Sequence, residues 1–188
     1  MIDDKDALSL VQEMRKVASK EKALVKVINP SDIEVRESVR LKCLIPLCEY
    51  YGVCRLCPPH LPPLNEIRAA LRFYHVGVLV ALKFLLSEVD LEKFHHDFSY
   101  ELKLLELVHR LENIAQSGGF REAIGLVVGG CKLCPTCAPP DEPCLHPYKA
   151  RPSPEGLGID IMGLALKSGL IVQWPPQESV VLIGLILF

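Results

Sequence analysis

The sequence predicts an α/β fold: a mixed sheet flanked by helices, with two cysteine- and proline-rich loops set outside it. Three observations lead there. Short apolar runs alternate with segments whose apolar residues recur every three or four positions. The order strand, long helix, strand, loop, helix, strand gives two crossovers long enough for parallel or mixed pairing. All eight cysteines fall in two proline-dense segments, 43–63 and 131–154, rather than in the apolar runs.

The elements follow in order. Asp6–Ala18 is an amphipathic helix, with Ala7, Leu10, Val11, Met14 and Val17 on one side and Asp3 and Asp4 available as caps. Ala23–Ile28 is a short strand ended by Asn29–Pro30. In Ser31–Lys42, Ile33 and Val35 alternate as a strand would. Residues 43–63 hold four cysteines, five prolines and one glycine, a density of proline that forbids a regular helix. Leu64–Tyr74 is a helix. Val76–Leu86, rich in Val and Leu and without alternation, is a central strand.

Ser87–Asp90 resembles a capping box opening the longest element, from Glu88 to Gln116, where Leu91, Phe94, Phe98, Leu102, Leu105, Val108, Leu111 and Ala115 keep the helical period. Gly118–Gly119 stop it. Ala123–Val128 is the next strand, ending at Gly129–Gly130. Residues 131–154 hold the other four cysteines and seven prolines. Ser153–Pro154–Glu155 reads as a helix start, with the helix running to Lys167 and Gly169 ending it. Leu170–Trp174 and Val180–Phe188 are strand candidates. The chain of 188 residues is long enough for a hydrophobic core and short enough to be one domain, 1–188.

Composition narrows the function. A net charge of -2 and an aromatic content of 6% give neither an electrostatic pull toward nucleic acid or anionic lipid nor a stacking platform for single strands. The longest nearly apolar run, Val76–Leu86, contains Lys83 and falls short of the roughly 20 residues that span a bilayer. The acidic start, with Asp3, Asp4 and Asp6, is unlike an export signal. The expectation is a cytoplasmic protein without nucleic-acid or membrane partners, with a redox partner protein or an oligomer as the associations left open.

In a reducing compartment, eight clustered cysteines point to metal rather than to disulfides. The first group is Cys43-x4-Cys48-x5-Cys54-x2-Cys57, followed by Pro58–Pro59; the second is Cys131-x2-Cys134-x2-Cys137-x6-Cys144. Three cysteines three residues apart can wrap one cubane, with a distant cysteine completing the set. Cys57–Pro58 or Cys144 could cross between clusters, so spacing leaves the assignment open. One or two [4Fe-4S] clusters held by these eight residues are the expected cofactors, with zinc the competing metal, above all in the first group. A redox CxxC at Cys54–Cys57 or Cys131–Cys134 would leave the other cysteines without a role.

Other polar residues carry less. His60 and His146 lie just beyond the clusters, as ligands, neighbours of ligands or loop-shaping groups. Lys149, Arg151, Arg55 and Lys132 could offset cluster charge or hold an anionic substrate, as could the amides of a helix starting at Pro154. His95, His96 and His109 fall on the charged side of the long helix. Gly129–Gly130 lacks the Lys–Ser/Thr continuation of a phosphate loop and reads as a turn.

The chain resembles the DUF2284 family of predicted metal-binding, cysteine-rich proteins. The residues that carry this are Lys42–Cys43, Cys48, Tyr51–Gly52 and Cys57–Pro58–Pro59 in the first loop. In the second they are Gly129–Gly130–Cys131-x2-Cys134-x2-Cys137, Cys144-x-His146–Pro147, Ala150–Arg151–Pro152–Ser153 and Gly158–Ile159–Asp160. The resemblance implies Cys43, Cys48, Cys57, Cys131, Cys134, Cys137 and Cys144 as the metal-associated set, with Cys54 an extra. It also implies an arginine where this chain has Leu145. Three functions then compete: an iron–sulfur electron-transfer protein, an iron–sulfur enzyme with an open iron, and a structural zinc protein acting in interactions. Two closed four-thiolate sites would favour the first over the second, so the position of Cys54 is the discriminator.

Overall fold

The fold was analysed in a computed structural model that describes residues 4–88, 97–139 and 141–188, and the side chains from residue 6 onward. The elements are α1 (Asp4–Lys20), β1 (Leu24–Ile28), a 3-10 turn (Pro30–Asp32), α2 (Glu37–Leu41), α3 (Leu64–Leu71), β2 (Gly77–Leu85), α4 (Ser99–Ser117), β3 (Ile124–Val127), α5 (Ile161–Lys167) and β4 (Ser179–Leu187). The strands form one sheet in the order β1-β2-β4-β3.

Helices flank this sheet, as expected, but every ladder is antiparallel, where the crossovers had suggested mixed pairing. The reason lies at the C-terminus. Leu170–Trp174 forms no strand, and β4 instead enters the middle of the sheet, paired along its whole length with β2 and on its other side with β3. The two central strands are therefore covered on both faces. Val78, Val80 and Leu82 of β2 and Leu182 and Ile186 of β4 face α1 and α4. The intervening Leu79, Ala81, Ile183, Leu185 and Leu187 face α5 and the segment before it. Burial on both sides is why these strands read as continuous apolar runs.

Helix α4 seats closely. A Cβ on Gly125 of β3 would lie 2.5 Å from Val108 Cγ1, and one on Gly184 of β4 would lie 2.4 Å from Val108 Cγ2. Val108 thus fills a socket made by two glycines on adjacent strands. Leu104, Leu107 and Leu111 of the same helix are fully buried.

Among the described residues, two predicted helices have starts inside their predicted spans. In the long one, Asp97 Oδ1 accepts from the Ser99 amide at 3.0 Å and α4 starts there. Leu91, Phe94, His95, His96 and the Asp90 end of the capping box lie outside the described residues, as does the cap candidate Asp3. At Ser153–Pro154, the serine hydroxyl does accept from the Gly156 amide at 3.0 Å, but only a turn follows. Gly158, at φ +75, breaks it, and Asp160 caps α5 by accepting from the Gly163 amide. A left-handed residue cannot continue a right-handed helix. The strand suggested around Ile33 and Val35 reduces to one bridge, Val35 with Ile159.

Candidate metal centre

The two cysteine loops come together where β3 ends. Tyr50 of the first loop lays its ring against Gly130 of the second, so closely that a Cβ there would sit 2.5 Å from the ring. Lys132 donates to the Tyr50 hydroxyl, and its ammonium stands 3.8 Å from the Tyr50 ring centroid and 4.5 Å from that of Phe98. Arg55 reaches across to the Pro139 carbonyl at 3.1 Å. These two cations, expected to balance a cluster or bind a substrate, instead clasp one loop to the other. The first loop holds its own shape through Gly52, whose amide donates to Pro58 O at 2.9 Å while His60 Nε2 contacts Gly52 O at 3.1 Å. His60 shapes the loop.

Between the loops lies a cavity of about 360 Å³ lined by Cys54, Cys131, Cys134, Cys137 and Cys144. All eight cysteines of the chain are free thiols. Cys54 is the most buried of them, at 4% exposure, and it belongs to this second set although the chain delivers it from the first loop. Its thiol is drawn down to about 5 by a hydrogen bond from the Cys57 thiol, with help from the amides of Leu56 and Cys131 and from Cys137. Cys57 is pushed up in return by holding that proton and by burial. Burial also raises Cys131 and Cys134, with neighbouring thiols, Cys54 among them, adding to it. Protons leave such a crowd of thiols reluctantly, until a cation arrives to take the negative charge.

Cys43, Cys48 and Cys57 form the other group. Burial is the main cause that raises Cys43, followed by Cys48 and then Glu155; Arg40 opposes it. Cys48 and Cys43 act on Cys57 in the same way. The eight candidate residues therefore divide five and three, with the Cys54–Cys57 contact as the join.

Among the described residues, no three His, Cys, Asp or Glu side chains are drawn together tightly enough to hold a single metal ion. A tetrahedral zinc site, with Zn–S bonds of about 2.3 Å, needs its sulfurs within about 3.8 Å of each other. Five thiols line one cavity, and the amides of Leu56 and Cys131 are directed at the Cys54 sulfur.

Several expected participants are elsewhere. Arg151 turns inward, donating from Nε to Glu112 Oε2 at 2.7 Å and from Nη1 to its own neighbour, the Ala150 carbonyl, at 2.8 Å. It pairs with a carboxylate that is 2% exposed, and so is spent on the core rather than on an anion at the centre. Lys149 and His146 are exposed at the rim, where the His146 amide lies 3.4 Å from Cys144 Sγ. His109, expected toward solvent, is half-buried with Nδ1 3.8 Å from Glu112 Oε2. Sequence reading missed Tyr50, Glu112 and Arg40. The available signals were an aromatic ring facing a Gly–Gly pair and an acid on the apolar side of α4.

No helix of the described residues is long and apolar enough to cross a membrane. No curated protein and no solved structure matches the chain. A family model matches residues 26–188, which take in both cysteine loops and all of the sheet but Leu24 and Val25 of β1, and on it the chain belongs to DUF2284, a family described as predicted metal-binding protein.

Proposed function

We propose that the chain is an iron–sulfur protein with an electron-transfer role, its main cluster a [4Fe-4S] centre in the five-cysteine cavity. The observation that carries this reading is the cavity itself: about 360 Å³, walled by Cys54, Cys131, Cys134, Cys137 and Cys144 from two loops. That is more space and a wider spread of thiols than one zinc ion requires. A cluster there would supply one-electron chemistry at low potential.

The surroundings suit such a carrier. Leu44, Ile45, Leu47 and Val53 of the first loop and Leu145 and Tyr148 of the second are all at least 45% exposed. Apolar side chains beside a redox centre offer a contact surface to a partner protein. A second cluster at Cys43, Cys48 and Cys57 would lie next to the first through the Cys54–Cys57 contact. A reducing, cytoplasmic setting goes with thiolate ligation.

The five-to-three division favours a second reading as well. With Cys54 facing the five-cysteine cavity, Cys43, Cys48 and Cys57 offer three thiolates, and a cluster there would keep one iron open to an exogenous ligand. Substituting Cys134→Ser and Cys43→Ser separately tests both readings in anaerobically prepared protein. Loss of most iron absorbance and of reversible bleaching in Cys134→Ser supports the main centre. Full retention of both in that variant contradicts it.

A further inference from the structure

Beside the three-cysteine group, between α2 and the start of α3, runs a groove of about 700 Å³. Its walls are apolar, with Leu41, Leu44, Leu61 and Leu64 among them. Its cations are Arg40 and Arg68, and its only carboxylate among the described residues is Glu37. Arg68 neutralises Glu37 at 2.7 Å, which leaves one net positive charge facing the groove.

Arg40 supplies that charge. Nε donates to Gly156 O at 3.0 Å and one Nη2 proton to Pro62 O at 2.9 Å, fixing the plane of the guanidinium. The remaining three of its five N–H groups are unspent. No carboxylate among the described residues pairs with it; its titratable neighbours are the Cys43 thiol and the Tyr51 hydroxyl. Tyr51 also lines the groove. A part-buried arginine held by carbonyls, next to a phenol and facing leucines, matches a planar anion with an apolar tail.

We infer that this groove binds a small organic carboxylate, its head on Arg40 and Tyr51 and its hydrocarbon along Leu41, Leu44, Leu61 and Leu64. The inference deepens the open-iron reading of the same centre, and rests on it only for what becomes of the anion. Binding itself needs no iron.

The test is calorimetric titration of the full chain at neutral pH, iron-loaded and iron-free, with hexanoate, butyrate and the neutral isostere hexanol. Hexanoate should bind both forms, butyrate more weakly, and hexanol at least about 10-fold more weakly, the scale of one charge-assisted contact. Arg40→Gln should lose about 10-fold or more of hexanoate affinity. Because Arg40 also ties two carbonyls, Leu44→Glu serves as the second variant. It lies at an exposed wall position, 45% accessible, and should weaken hexanoate several-fold with thermal unfolding unchanged. Equal binding of hexanol and hexanoate, undiminished binding in either folded variant, or no binding of any probe overturns the inference. Failure of iron uptake with hexanoate binding intact would overturn the cluster reading alone.

Discussion

At the scale of single residues, buried charge decides more than surface charge. Arg151 and Glu112 form a pair 13% and 3% exposed at the side chain, reaching from the second cysteine loop into α4. Removing one partner of such a pair strands the other, at about 3–5 kcal/mol. Arg151→Met should therefore lower unfolding free energy by about that amount in urea titration, and adding Glu112→Gln should recover part of it. Glu155 is the opposite case. Burial raises its carboxyl above the ordinary range, and Oε2 has no hydrogen-bond partner. A raised folded-state pKa contributes stability in full below the unfolded value of 4.5 and loses it as pH rises through the folded one. Glu155→Gln removes that dependence. Its urea midpoint should pull ahead of the wild type as pH rises from mildly acidic to mildly basic; a constant gap would contradict the assignment. The sequence showed Glu155 as the acid of a helix start and left Glu112 as an acid on the apolar side of α4, but neither signal says what a carboxylate is buried against.

Among the elements, close approach at glycine sets the geometry. Gly184 and Gly125 let Val108 bring α4 onto the sheet, and Gly184→Val should cost about 1–3 kcal/mol through overpacking. Gly130 does the same for the two loops, by admitting the Tyr50 ring. Gly130→Val should cost a similar amount and, more tellingly, reduce iron bound per chain, since it separates Cys54 from Cys131. Unchanged iron content in that variant would show that the loops need not touch. The sequence made most elements legible: the amphipathic period of α1, the two-faced apolar runs of β2 and β4, the cysteine loops themselves. It misled where a local signal was outweighed by backbone geometry. Ser153–Pro154–Glu155 has the chemistry of a helix start, yet Gly158 in the left-handed region stops it within one turn. It also misled on sheet pairing, because strand order is set by which apolar faces need covering, and β4 can meet that need only between β2 and β3.

For the molecule as a whole, the antiparallel sheet with helices on both faces presents both loops where β3 ends. The family resemblance implies seven of the cysteines, and spacing alone divides the eight into four and four. The structure divides them five and three. Cys54, the residue that looked additional, is the most buried and lines the five-cysteine cavity. Spacing could not reveal this, since Cys54 and Cys57, three residues apart and in contact, differ in that only Cys54 lines that cavity. The most direct measurement is iron, acid-labile sulfide and zinc per chain after anaerobic purification, on wild type and Cys54→Ser. About four iron and four sulfide for each cluster, little zinc, and a marked loss of iron in Cys54→Ser are expected. Stoichiometric zinc without labile sulfide, or iron content indifferent to Cys54, would contradict the five-cysteine iron–sulfur centre.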